Sequence, residues 1–158
     1  MNAWTHSVLV LIADDDPEDR MLIEDAFEES RLPNALAFVE DGEDLMDYLY
    51  RRNGYSDPSA SPRPGLILLD LNMPRKDGRE ALKEIKSDPD LRKIPVVVMT
   101  TSSDEEDIAC TYDLGANAFV TKPVTFEGLV EVVKELGRFW LQLDMHARPG
   151  RHVYHHVV

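Results

Sequence analysis

Residues 66–78 read LILLDLNMPRKDG. Four apolar residues run straight into Asp70, and the chain then turns polar through Met73-Pro74 and Asp77-Gly78. A continuous run of Leu and Ile, rather than an alternating one, is the pattern of a strand buried on both faces of a parallel sheet. Asp70 therefore ends a buried strand. In open α/β sheets the carboxyl ends of the strands form the edge where ligands bind.

The same form recurs on either side of this stretch. Residues 10–17 (VLIADDDP) run from an apolar strand into Asp14, Asp15 and Asp16. Residues 95–102 (PVVVMTTS) end a third apolar strand in Thr100 and Thr101, and residues 115–123 (GANAFVTKP) end a short one in Lys122-Pro123. Between these runs lie amphipathic stretches. The sequence predicts helices over 17–29, 44–52, 80–87, 104–114 and 127–143, with a weaker strand over 35–39. Asp16 caps the first helix with Pro17 at its first position. Ser103 and Glu106 are placed as a capping box for the fourth. Leu129, Val132, Val133, Leu136, Trp140 and Leu143 share one face of the last helix. Strict strand-helix alternation predicts an α/β, flavodoxin-like doubly wound (βα)5 fold with a five-stranded parallel sheet. Residues 1–143 form that domain in this reading, and residues 144–158 a C-terminal tail.

One edge of such a sheet collects carboxylates from two strands, a hydroxyl from a third and an ammonium from a fourth. Crowded carboxylates resist ionisation without a counter-charge. A hard divalent cation, Mg2+ or Mn2+, suits all-oxygen ligands and neutralises charge on an incoming phosphoryl group. A carboxylate can itself act as the nucleophile and form an acyl phosphate. Lys122 and Thr100 then suit the phosphoryl oxygens as a charge and a donor. Each residue alone reads as a cap, a loop acid or a solvated lysine; together, in this order, they read as a site.

These four motifs resemble the receiver domains of two-component response regulators, over roughly residues 8 to 143. The resemblance implies Asp70 as phosphoacceptor. It implies Asp15 as direct metal ligand, Asp14 as a ligand through water, and the backbone carbonyl of Asn72 as a further ligand. Thr100 and Lys122 would contact phosphoryl oxygens, with Lys122-Pro123 as a cis peptide. Asn72 and Ser102 would influence the lifetime of the phosphoryl group. Phe119 takes the family's switch-aromatic position, moving with Thr100. The long loop over 53–65, the segment SDPDLRKIP over 87–95 and the Asp-Asp-Asp-Pro start resemble the small receivers paired with bacterial phytochrome histidine kinases. The implied partners are such a kinase and a further protein target.

The remaining composition bounds the partners. The 158 residues fit one domain, and the net charge of -13 with pI near 4.7 opposes nucleic acid and anionic membranes. Cys110 is the single cysteine, so no internal disulfide forms, and a cytoplasmic setting is expected. No apolar run approaches the roughly 18 to 20 residues of a membrane span, and MNAWTHS lacks the pattern of a signal peptide. Fifteen residues after the last helix are too few for a DNA-binding output domain, so the output is expected to be protein association. Phe139 is an interface candidate for a homodimer through the fourth and fifth helices, extended by the tail. Trp140 reads as core. The tail histidines His146, His152, His155 and His156 read as solvated or dimer-bound rather than metal-binding, because neighbours in a strand point oppositely. The competing enzyme reading is a haloacid-dehalogenase-like phosphohydrolase using Asp70 as nucleophile. Against it, Asp70 is followed by Leu71 and Asn72 rather than by a second acid two residues on.

Overall fold

The computed structural model describes residues 8–101 and 104–141, and the backbone of 154–156. Ser102, Ser103, Leu143, His146 and His152 lie outside the described residues. The elements run β1 (Val10–Ala13), α1 (Pro17–Glu29), β2 (Leu36–Val39), α2 (Gly42–Tyr50), β3 (Leu66–Leu69), α3 (Gly78–Ser87), β4 (Val96–Thr100), α4 (Glu105–Asp113), β5 (Ala118–Thr121), α5 (Phe126–Leu136) and β6 (Tyr154–His156). The strands form one parallel sheet in the order β2-β1-β3-β4-β5-β6. The first five are those expected, in the doubly wound order. The sixth is a short addition from the tail.

Successive strand residues point to opposite faces, and this splits the apolar runs into two cores. Leu11, Ala13, Ile67, Leu69, Val98 and Phe119 pack with residues of α2, α3 and α4. Val10, Ile12, Leu68, Val97 and Val120 pack with Ile23 and Phe27 of α1 and with Leu129, Val133 and Leu136 of α5. Helices α1 and α5 thus cover one face, and α2, α3 and α4 the other. Each fully buried aliphatic side chain here contributes about 1.5–3 kcal/mol, which is why β1, β3, β4 and β5 are buried along their whole length.

Several boundaries depart from expectation. Helix α1 begins as expected, with Asp16 accepting from the Glu18 amide at 2.9 Å. Helices α2 and α3 begin two residues early, at glycines capped by Asp41 and Asp77. Helix α4 is capped by Asp104, whose carboxylate accepts from the Glu106 amide at 3.1 Å. A carboxylate serves the positive end of the helix better than a neutral hydroxyl. The last helix does not run regularly to Leu143: α5 ends at Leu136 and a wider π-type turn follows over Gly137–Leu141. A side chain at Gly137 would put Cβ 2.9 Å from Leu32 Cδ2, so the backbone there lies against that leucine. Trp140 is buried, as expected. The Lys122–Pro123 peptide is trans, correcting the cis expectation. Trans is the lower-energy isomer by about 0.5–1 kcal/mol for such a bond.

Candidate functional site

The carboxyl ends of β1, β3, β4 and β5 place the predicted residues at one edge. Asp14 follows β1 and Asp70 follows β3; both are buried, whereas Asp15 is exposed. Thr100 ends β4 and is fully buried. Lys122 follows β5 with its side chain 14% exposed.

Asp70 uses both carboxylate oxygens. Oδ1 accepts from the Asn72 amide at 3.0 Å and from the Thr100 hydroxyl at 3.1 Å. Oδ2 accepts from Lys122 Nζ at 2.9 Å. The same ammonium donates to Asp14 Oδ2 at 2.9 Å and Asp19 Oδ2 at 2.7 Å. Asp14 Oδ1 accepts from the Asp16 amide at 3.0 Å, and Arg20 Nη1 donates to the Asp14 carbonyl at 2.6 Å. The Asn72 side-chain amide donates to Thr100 Oγ1 at 3.3 Å, closing a ring of contacts around the Asp70 carboxylate.

The electrostatics follow from burial. Desolvation raises the Asp14 carboxyl, and the Asp16 amide and the Lys122 ammonium only partly offset it. Desolvation also opposes the charge on Lys122. Its hydrogen bonds to Asp19 and Asp14, with the charges of Asp70 and Asp14, outweigh that and raise the ammonium overall. One oxygen each from Asp14, Asp15 and Asp70 lies within 4.8 Å of the others. This donor set is all oxygen, with two members buried and one open to solvent, and it fits a hard divalent cation.

The β3–α3 loop is pinned from both sides. A Cβ at Gly78 would sit 2.4 Å from the Asp70 carbonyl, and one at Gly42 would sit 2.1 Å from the Lys76 carbonyl. Backbone therefore passes against backbone on each side of Asp70's loop, and only glycine allows it.

The chain matches the family described as response regulator receiver domain over residues 10–134. The chain belongs to this family. A curated relative, response regulator Rcp1 of Synechocystis sp. (strain PCC 6803), is 41% identical over 134 residues, 85% of this chain and 89% of the relative. The crystal structure of the Mn(2+)-bound form of Rcp1 is 40% identical, with TM-score 0.78 and coverage of 87% and 97%. The structure of the phosphorylated cyanobacterial phytochrome response regulator RcpA is 43% identical, with TM-score 0.78 and coverage of 85% and 94%. Response regulator RPA3017, in red light signaling of R. palustris, is 36% identical, with TM-score 0.80 and coverage of 84% and 93%. The receiver thus resembles phytochrome-linked regulators in sequence and fold, and the phosphohydrolase alternative finds no support.

Two predicted residues lie away from this carboxylate cluster. Phe119 is fully buried in the core of the α2–α4 face, with its amide donating to Tyr112 Oη at 3.1 Å. Phe139, next to the core stripe as expected, is half-buried against the α1–α5 core. Asp19, Arg20 and Tyr112 were missed by sequence reasoning. Asp19 and Arg20 lie in the first turns of α1, immediately after the acidic run, and that adjacency was the available signal.

Proposed function

We propose that this receiver takes a phosphoryl group onto Asp70 from the phosphohistidine of a phytochrome-coupled histidine kinase and signals by protein association. The observation that carries the reading is the buried Asp70 carboxylate bonded at once to Thr100 and Lys122, beside Asp14 and Asp15. In the transfer an Asp70 oxygen attacks phosphorus, the O–P bond forms, the P–N bond breaks, and its electron pair returns to the imidazole. Asp14, Asp15, Asp70 and the Asn72 carbonyl would hold Mg2+ or Mn2+. When bound, the ion supplies charge neutralisation and orientation for the phosphoryl oxygens.

The chain's own groups do the rest. Lys122 and Thr100 already flank Asp70 and need only short movements to pair with phosphoryl oxygens. Asn72 stands beside Thr100 and governs how water reaches the acyl phosphate, which sets the autodephosphorylation rate. Thr100 and the buried Phe119 rearrange together as Thr100 leaves Asp70 for the phosphoryl group. The phosphorylated state of RcpA and the Mn(2+)-bound form of Rcp1 support the chemistry, and the similarity to RcpA, a phytochrome response regulator, and to RPA3017, in red light signaling, supports the light-sensing kinase. The receiver acts as a homodimer across the α4–β5–α5 face. No helix among the described residues is long and apolar enough to cross a membrane, which is consistent with the cytoplasmic setting we propose.

The test is labelling with acetyl phosphate and Mg2+. The wild-type chain should acquire a base-labile phosphate and Asp70→Asn should not; labelling of that variant at the wild-type level refutes the assignment.

A further inference from the structure

Lys122 spends all of its hydrogen-bonding capacity on carboxylates. An ammonium has three N–H donors, and these go to Asp14 Oδ2 at 2.9 Å, Asp70 Oδ2 at 2.9 Å and Asp19 Oδ2 at 2.7 Å. The three acceptors are not alike. Asp14 and Asp70, with Asp15, make up the cluster whose oxygens lie within 4.8 Å of one another, and Asp19 stands outside it. Burial opposes the charge on Lys122, and among the contacts that favour it the one to Asp19 counts most.

The position of Asp19 comes from the start of α1. Asp16 caps that helix and Pro17 opens it, which places Asp19 in its first turn. Arg20, the next residue, donates to the Asp14 carbonyl at 2.6 Å and so fastens the turn to the end of β1. The backbone of Lys122 is fixed as well, its amide donating to the Thr100 carbonyl at 2.7 Å. What remains to be set is where the ammonium points. An acid in the first turn also suits the helix end, but Asp16 and Glu18 already serve it there. The Asp19 side chain is 33% exposed, so solvent can replace its contact at little cost to the fold.

Filling the site changes the competition for these oxygens. The Oδ1 atoms of Asp14 and Asp70 are already engaged, by the Asp16 amide and by the Asn72 amide and Thr100 hydroxyl. The carboxylates that would hold a divalent cation include the same two that face Lys122, and two cations sharing one carboxylate repel. Phosphoryl transfer then turns the Asp70 carboxylate into a neutral acyl group and leaves the negative charge on the phosphoryl oxygens. Of the three partners of Lys122, only Asp19 is touched by neither event. We propose that Asp19 is the positioning residue for Lys122: it keeps the ammonium at the site when Asp14 and Asp70 are claimed, and leaves two N–H donors to turn toward the phosphoryl oxygens. This inference rests on Asp70 as phosphoacceptor and names what steers the lysine that serves it.

The experiment compares the full wild-type chain with Asp19→Asn and Asp19→Glu. The Lys122 ammonium protons, assigned by their absence in Lys122→Met, are followed by NMR without and with saturating Mg2+. The wild type should show a slowly exchanging signal in both conditions. Asp19→Asn should show it without Mg2+, where Asp14 and Asp70 still hold the ammonium, and lose it with Mg2+; Asp19→Glu should keep it. Acetyl phosphate labelling should slow by about two- to fivefold in Asp19→Asn, the range that a partly exposed ion pair supports, and return toward the wild-type rate in Asp19→Glu. Mg2+ affinity, read by calorimetry, should stay within about twofold, because Asp19 lies outside the oxygen cluster and is screened by solvent. The sign is diagnostic, since deleting a negative charge beside a site that takes an anionic donor should by itself speed labelling. Labelling of Asp19→Asn at or above the wild-type rate overturns the proposal. So does an ammonium signal that survives Mg2+ in that variant, or a loss of Mg2+ affinity as large as the loss of labelling rate. Failure of the wild type to label overturns the Asp70 reading alone, because the ammonium signal still decides whether Asp19 holds Lys122.

Discussion

Replacing Lys122 by methionine, in buffer without divalent cations, isolates the charge balance of the site. The ammonium holds Asp14, Asp19 and Asp70 at 2.9, 2.7 and 2.9 Å. The side chains of Asp14 and Asp70 are 3% and 8% exposed, whereas Asp19 is 33% exposed. Asp19 turns to water, and its loss falls in the range of about 0–1 kcal/mol for surface pairs. Asp14 and Asp70 are left buried without a counter-charge, and removing one partner of a buried pair costs about 3–5 kcal/mol. That is a large share of the about 5–15 kcal/mol of a typical domain. Urea unfolding followed by circular dichroism at pH 7.5 should show a loss in that range.

The deficit should depend on pH with a definite sign. Burial holds the Asp14 carboxyl above its ordinary value of 3.8, and Lys122 works against that rise. Without Lys122 the folded-state value climbs further, so the folded variant binds a proton more readily than the unfolded one. Stability is then regained as pH falls through the folded value toward 3.8. In the wild type, Lys122 itself is raised above 10.5 and stays charged throughout this window. Saturating Mg2+ should restore part of the loss, about 2.7 kcal/mol at a hundredfold excess over Kd. Equal stability of the two proteins at pH 7.5, or a deficit that does not narrow between pH 8 and 5, refutes the reasoning.

Gly78→Ala drives a methyl group into the Asp70 carbonyl at 2.4 Å; it should cost about 1–3 kcal/mol in urea unfolding and slow acetyl phosphate labelling. Asn117→Ala removes the acceptor for the Val96 amide at 2.9 Å and for Lys86 Nζ at 3.3 Å, and should cost about 1–3 kcal/mol by the same assay with labelling retained. Burial pulls the Lys86 ammonium from 10.5 down to about 8. The unfolded chain therefore binds the proton more tightly between those values, and wild-type stability relative to Lys86→Met should rise from about pH 8 to 10.5, as read from paired thermal melts. Arg79→Ala breaks a partly exposed ion pair to Asp107 at 2.9 Å and should shift stability by less than about 1 kcal/mol.

The parts of the fold that were legible share one property. Strands β1, β3, β4 and β5 are continuous apolar runs because both faces are covered, and burial on two sides leaves a signal in the sequence itself. The candidate site was legible for the same reason, since Asp14, Asp70, Thr100 and Lys122 each end or directly follow one of those runs. Asp19 was not, because an acid in the first turn of a helix is ordinary and only the arrival of Lys122 from more than a hundred residues away distinguishes it. The early starts of α2 and α3 were hidden by glycine's poor helix propensity, although Asp41 and Asp77 cap both. The end of α5 was hidden because its apolar stripe continues to Trp140 while Gly137 packs against Leu32 in space. Strand β6 has no alternation to read in three residues, and only an open sheet edge recruits it.

The Lys122 ammonium is also a mechanical joint. Its three partners lie beyond β1, within α1 and beyond β3, while the lysine itself leaves β5. Four segments meet at one nitrogen, and no one of them moves without redistributing tension among the rest. Altering the charge on Asp70 thus changes the pull on the first turn of α1 as directly as the pull on β5. A group joined to Asp70 is felt on both sides of the sheet from the moment the bond forms, before any strand has shifted.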